Sequence, residues 1–136
     1  MRIYGDTRSG NCYKLQLLLS LLGKTCEWID VDIMKGETRA PSFLEKTPNG
    51  KIPLLELDDG RVLSESNAIM HYLASNTPLI PSSPYSFSQL LQWQFFEQYS
   101  HEPYIAVARY INVYLGLPED RKAEYESKQA GGYRAL

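Results

Sequence analysis

Ser9-Gly10-Asn11-Cys12 sets a hydroxyl, a glycine, an amide and a thiol side by side. The segment follows a short β-like stretch, Arg2-Ile3-Tyr4-Gly5, and runs into the apolar Leu15-Gln16-Leu17-Leu18-Leu19. Such a crowd at the start of a helix has two uses. One is capping, in which a side-chain oxygen accepts an N–H of the first turn. The other is sulfur activation, because a thiol at a helix N-terminus titrates well below its ordinary value of about 8.5. These residues alone leave both open.

The totals bound what surrounds them. At 136 residues the chain suits one domain, or one domain with part of a second, and 43% hydrophobic residues suffice for a core. A formal net charge of -2 gives no general attraction for nucleic acid or anionic membrane, so neither is expected as a partner. Cys12 and Cys26 are too few for a disulfide framework and no zinc-type spacing occurs, so no metal is expected. The first six residues lack the apolar stretch of a secretion signal, and no segment approaches the length of a membrane span. A soluble, reducing, cytoplasmic setting is the expectation.

The elements that must hold the segment read as alternating strand and helix. Residues 2–4 form a short strand, and 10–22 a helix ended by Gly23 at a position that favours a left-handed conformation. That helix is apolar on nearly every side, which predicts burial between a sheet and a second layer. Residues 26–33 alternate as a strand, 34–40 form a polar loop, and 41–46 hold one or two helical turns. Strands at 53–57 and 61–63 are joined through Asp58-Asp59-Gly60, a hairpin signal. Ser64 is expected to cap a helix carrying Ala68, Ile69, Tyr72 and Leu73 on one stripe. The order βαβ-ββα predicts a mixed four-stranded sheet covered by helices, an α/β thioredoxin-like domain over residues 1–76.

Prolines stiffen a linker at 77–84. An all-α region over 85–136 follows. Its long helical tract, 85–115, should be kinked or interrupted at Pro103, and a polar helix resumes from Pro118. Trp93, Phe95, Phe96 and Tyr99 are expected mostly as core, in part as dimer surface. This region reads as the first helices of a larger all-α domain, cut short: two helices cannot bury so many aromatics against each other alone.

Three blocks now support a family. Tyr4-Gly5 with Ser9-Gly10-Asn11-Cys12-Tyr13-Lys14, then Thr47-Pro48-Asn49-Gly50-Lys51-Ile52-Pro53-Leu54-Leu55, then Asp59-Gly60-Arg61-Val62-Leu63-Ser64-Glu65-Ser66-Asn67-Ala68-Ile69 closely resemble the glutathione transferase superfamily in order and spacing. The tract after the linker resembles the first helices of its carboxy-terminal domain. The resemblance implies glutathione as co-substrate, a hydrophobic electrophile as second substrate, a role in detoxification, and a homodimer.

It also implies roles for single residues. Ile52-Pro53 looks like the family's cis-proline site; a cis X-Pro bond costs only about 0.5–1 kcal/mol, so a fold can hold it. There the Ile52 backbone would pair with the extended cysteinyl unit of glutathione as an added strand; without the flanking blocks Pro53 would read as the start of an edge strand, and with them the site reading is favoured. Ser66 at an open helix end would take the γ-glutamyl carboxylate and Glu65 the ammonium of the same group. Lys51 suits the glycine carboxylate, and an ordinary surface lysine equally well. Thr38 stands near where several members carry a histidine for that carboxylate.

Ser9 matches the serine that non-tyrosine classes aim at the glutathione sulfur. Its O–H would donate to a thiolate rather than remove a proton, and Asn11 could be a second donor. A hydrogen bond to a charged group is worth about 1.5–3 kcal/mol and the helix dipole about 0.3–2 kcal/mol. At about 1.36 kcal/mol per pKa unit, the two lower a thiol pKa by roughly one to three. Cys12, three residues on, is expected in packing, and Tyr4 in the core. In the helical tract His101, Tyr104 and Arg109 are the candidates for the second-substrate pocket.

Three functions follow: a glutathione transferase activating the thiolate through Ser9, a non-catalytic glutathione-binding or protein-interaction module of the same fold, or a glutathione-dependent thiol reductase using Cys12.

Overall fold

The computed structural model describes residues 1–134. The chain divides into two compact units, Met1–Ile80 and Pro81–Leu136.

The first unit runs β1 (Arg2–Gly5), α1 (Gly10–Leu21), β2 (Glu27–Asp30), α2 (Pro41–Leu44), β3 (Leu54–Glu56), β4 (Val62–Ser64) and α3 (Ser66–Ala74). The sheet order is β2-β1-β3-β4. β1 and β2 are parallel, while β3 is antiparallel to both β1 and β4. This is the mixed four-stranded, thioredoxin-like sheet that the alternation of elements predicts.

Successive residues of a strand point to opposite faces, and the core divides accordingly. Ile3 and Leu55 pack against Leu15, Leu18 and Leu19 of α1 and Ile69, Leu73 and Ala74 of α3. Tyr4 and Leu54, one residue away along each strand, join Val31, Phe43 and Ile52 on the other face, under α2. Fully burying such an aliphatic side chain contributes about 1.5–3 kcal/mol, so both faces anchor the connections between the elements.

Several expectations change. α1 buries Cys12, Leu15, Leu18 and Leu19, but Tyr13, Leu17 and Leu21, at helical spacing on another side, are exposed. Among the described residues, that side of the helix is therefore open. Its end matches: Gly23 has φ +61°, and Lys24 N–H reaches back to the Leu19 carbonyl at 3.0 Å. β2 stops at Asp30 instead of Ile33, because the Asp32 carboxylate accepts Met34 N–H at 2.9 Å and Lys35 N–H at 3.3 Å and starts a 3₁₀ turn, Ile33–Lys35. A second 3₁₀ turn, Glu37–Arg39, fills the rest of the expected loop. Ser64 is not a cap. Paired opposite Leu54, it is the last residue of β4, and Glu65 precedes α3 instead.

The second unit holds α4 (Pro84–Phe96), α5 (Glu102–Arg109) and α6 (Lys122–Arg134). α4 and α5 are joined by a wide turn, Glu97–His101, whose ladder runs from Glu102 N–H to the Glu97 carbonyl. Pro103 lies two residues beyond its end, after Glu102. A proline lacks the N–H and clashes with the preceding turn, and one extra residue per turn accommodates both. α6 lies close on α5: a Cβ on Gly131 would stand 2.3 Å from the Tyr104 ring. Trp93, Phe95, Phe96 and Tyr99, expected mostly as core, are all exposed; Ala108 and Ile111 are buried. Among the described residues no helix is long and apolar enough to cross a membrane.

Candidate functional site

The register gathers the singled-out segments at one end of the sheet. Tyr4, next to the last residue of β1, lies opposite Leu54, the first residue of β3, and Leu54 lies opposite Ser64, the last of β4. Gly5 lies beside Asp30, the last residue of β2. Hence the turn after β1 (Ser9, Asn11), the connection after β2 (Thr38), the approach to β3 (Lys51, Ile52, Pro53) and the step from β4 to α3 (Glu65, Ser66) all emerge at the same edge.

Ser9 is the N-cap of α1, and its Oγ accepts Cys12 N–H at 3.4 Å. The capping use is therefore real, and it leaves the serine's own O–H as a donor. Cys12 is fully buried. Burial pushes its thiol up, while hydrogen bonds with Ser9 and the Asp6 backbone pull the other way. Gly5 is needed because Trp28 and Cys12 close over it: a Cβ there would meet Trp28 Cζ2 at 2.8 Å and Cys12 Sγ at 2.9 Å. This close approach fixes the start of α1 against the end of β1.

The second helix start is open. α3 has no side-chain cap and no acidic residue in its first turn, so its N–H groups and dipole present positive character. Ser66 is buried, and its hydroxyl donates to Asn11 Oδ1 at 3.2 Å. Glu65 is exposed and holds φ +70°, a conformation that an L side chain adopts at a cost of about 1–3 kcal/mol. Such strain clusters at binding and catalytic sites.

The Ile52–Pro53 peptide bond is cis. Lys51 is exposed, Ile52 half-buried and Pro53 buried. Thr38 is buried, whereas its neighbour Arg39 is exposed and lies over Gly50: a Cβ on Gly50, which has φ +58°, would stand 2.8 Å from Arg39 Nη1. Sequence reasoning passed over Arg39, although a cation twelve residues before Lys51 is visible in the chain.

Tyr4 is half-buried, and its hydroxyl donates to Glu56 Oε2 at 2.7 Å, which Lys46 Nζ also meets at 2.8 Å. That bond raises the Tyr4 pKa. The phenol serves the sheet. In the second unit His101 is half-buried, Arg109 exposed, and the Tyr104 ring has Gly131 against it and Lys128 Nζ 5.5 Å from its centroid.

Residues 3–85 match the family model for the glutathione S-transferase N-terminal domain. The chain is 59% identical to a glutathione S-transferase of Pseudomonas fluorescens whose crystal structure covers 98% of this chain and is covered to 67%, with a TM-score of 0.95. The glutathione transferase URE2P6 of Phanerochaete chrysosporium, solved in complex with oxidized glutathione, is 30% identical with a TM-score of 0.84, over 98% of this chain and 63% of that one. Human elongation factor 1-gamma is 48% identical over 102 residues, 74% of this chain and 23% of that protein. The chain spans about half the length of the curated relatives it matches, or less.

Proposed function

Because the chain belongs to the glutathione S-transferase family, we propose that it binds glutathione at this end of the sheet and delivers the thiolate to an electrophilic small molecule. The observation that carries the proposal is the convergence of two helix starts, with Ser66 Oγ bonded to Asn11 Oδ1 at 3.2 Å. On this reading the α3 start takes the γ-glutamyl carboxylate and Glu65 its ammonium. The backbone of Ile52 pairs with the cysteinyl unit, which brings the sulfur towards Ser9. The hydroxyl then turns from the buried Cys12 thiol, a weak acceptor, to the thiolate, a strong one. With the α1 dipole this keeps the sulfur charged at neutral pH. Rate enhancement comes from the standing thiolate and from holding two reactants together.

At the glycine end the proposal assigns Lys51 and Arg39. The buried Thr38 side chain is less suited to a carboxylate than the exposed guanidinium beside it. His101 and Arg109 are the proposed contacts of the electrophile on the helical unit, ahead of the covered Tyr104. A homodimer, a cytoplasmic setting and a role in detoxification belong to the same proposal, by family likeness.

A second reading, a binding module without turnover, draws on the likeness to elongation factor 1-gamma, whose name is not that of a transferase. A Cys12 reductase finds less support, since that thiol is fully buried and its pKa raised. Retention on glutathione-agarose together with turnover of an aryl halide that falls in Ser9→Ala supports the transferase. Retention without turnover of any electrophile favours the module. Reduction of mixed disulfides that survives Ser9→Ala and dies in Cys12→Ala would replace both.

A further inference from the structure

The chain between β2 and β3 carries both cations assigned to the glycine end of glutathione, and it forms one compact lobe. Arg39 N–H donates to the Gly36 carbonyl at 2.8 Å, Thr47 N–H to the Phe43 carbonyl at 3.0 Å, and Gly50 N–H to the Thr47 carbonyl at 3.0 Å. The two ends of the lobe meet at Gly50, where a Cβ would stand 2.9 Å from the Thr38 carbonyl oxygen and 3.0 Å from Leu44 Cδ2. Arg39 and Lys51, on either side of that contact, are therefore carried by the same piece of backbone.

What fastens the lobe to the sheet is smaller than the core on the other face. Phe43 packs with Val31 and Leu54, joined by Tyr4 and Ile52, and the Tyr4 and Phe43 rings meet edge-on with centroids 6.2 Å apart. Beside this cluster runs a charged tie. Lys46, two residues past α2, donates from Nζ to Glu56 Oε2 at 2.8 Å and stands 5.5 Å from the Tyr4 ring centroid. Glu56, whose side chain is 12% exposed, also accepts the Tyr4 hydroxyl at 2.7 Å and Arg2 Nη1–H at 3.3 Å. The bond with Glu56 raises the Lys46 pKa, and the bond from Lys46 is the first cause holding Glu56 low, so both stay charged at neutral pH. Such a charge-assisted bond is stronger than a neutral one. Glu56 lies two residues beyond Leu54, the first of β3, so the tie is roughly 7 Å back from the edge where the tripeptide is placed. Lys46 thus acts on the lobe and not on the ligand.

We propose that Lys46 is a positioning residue for the glycine end of glutathione: by fastening the lobe to Glu56 it sets where Arg39 and Lys51 stand beside β3. Without the tie the lobe is held by the Phe43 cluster alone, and the two cations lose their fixed place at the edge of the sheet. The inference rests on the glycine-end reading of Arg39 and Lys51 given above.

The test is competition binding of glutathione and γ-glutamylcysteine, which lacks the glycine carboxylate. Lys46→Met keeps the apolar stem and removes the charge. It weakens glutathione several-fold, barely moves γ-glutamylcysteine, and leaves the ionisation midpoint of the bound thiol at its wild-type value. Lys46→Arg, whose guanidinium also pairs with a carboxylate, keeps the preference for glutathione. In an Arg39→Ala background Lys46→Met has a smaller effect, because groups that act through one another are not additive. Glu56→Gln removes the charge from the other side of the tie and gives the same loss of preference, so it serves if Lys46→Met folds poorly. A Lys46 with only a structural role weakens both thiols alike, or neither, and either result would overturn the proposal. So would an undiminished effect of Lys46→Met in the Arg39→Ala background. If wild-type protein itself does not distinguish the two thiols, the glycine-end reading has failed, and this inference falls with it for a distinguishable reason.

Discussion

The Ser66 hydroxyl donates to Asn11 Oδ1 at 3.2 Å, so the first turns of α3 and α1 are joined at the end of the sheet. On the proposed reading, the bond makes the carboxylate subsite and the sulfur subsite a single unit. Asn11→Ala is expected to raise both the KM for glutathione, several-fold, and the midpoint of the bound thiol. Groups in one hydrogen-bonded network are non-additive, so Ser66→Ala in that background should add less than its effect alone. Steady-state kinetics of the two single variants and the double variant check this; full additivity would mean the two helix starts act separately.

Glu65 carries opposing contributions. At φ +70° it strains the backbone, and glycine removes that strain. Glu65→Gly should therefore raise stability to denaturant by about 1 kcal/mol while raising the KM for glutathione at least tenfold, since the ammonium loses its partner. Urea melts and kinetics moving in opposite directions are the signature. A loss of both would assign Glu65 to the fold.

The proposal gives Arg39, which is exposed, the carboxylate role that the resemblance suggests for the buried Thr38. Arg39→Ala should weaken glutathione, and γ-glutamylcysteine, which lacks the glycine carboxylate, should be indifferent to it. Thr38→Ala, at a buried position, should lower stability and leave the preference between the two thiols alone. Competition binding with both thiols separates the cases.

Glu56 gives a pH dependence with a defined sign. Hydrogen bonds from Lys46 and then Tyr4 hold its carboxyl below the ordinary range. A carboxylate whose folded value is depressed contributes stability that is fully present above its unfolded pKa, about 4.3, and is lost as pH falls through the folded value. The stability gap between wild type and Glu56→Gln should be constant near neutrality and close progressively below about pH 4. Tyr4→Phe should cost about 1 kcal/mol at neutral pH and leave the bound thiol midpoint unmoved. A raised midpoint in Tyr4→Phe would return the phenol to the sulfur.

The strand and helix order was legible because hydrophobic spacing is local, and the three blocks fall together at one end of the sheet. What the chain did not disclose is where long-range pairing overrides a local signal. Ser64 reads as a cap, yet the ladder to β3 claims its backbone and leaves the strained Glu65 before α3. Leu17 and Leu21 read as buried, yet a helix packed on one face of a sheet turns them outward. Pro103 reads as a kink, and a wide turn absorbs it. The Lys46–Glu56 pair passed unremarked, because two charged residues ten apart show no pattern until the sheet brings them together.

The account stands or falls on the ionisation of one sulfur. Titrating the thiolate absorbance of glutathione bound to the wild-type protein should give a midpoint roughly one to three pH units below that of glutathione in buffer. Ser9→Ala should recover most of that difference. An identical midpoint for bound and free glutathione, or one that Ser9→Ala leaves untouched, would contradict activation by the serine at the start of α1.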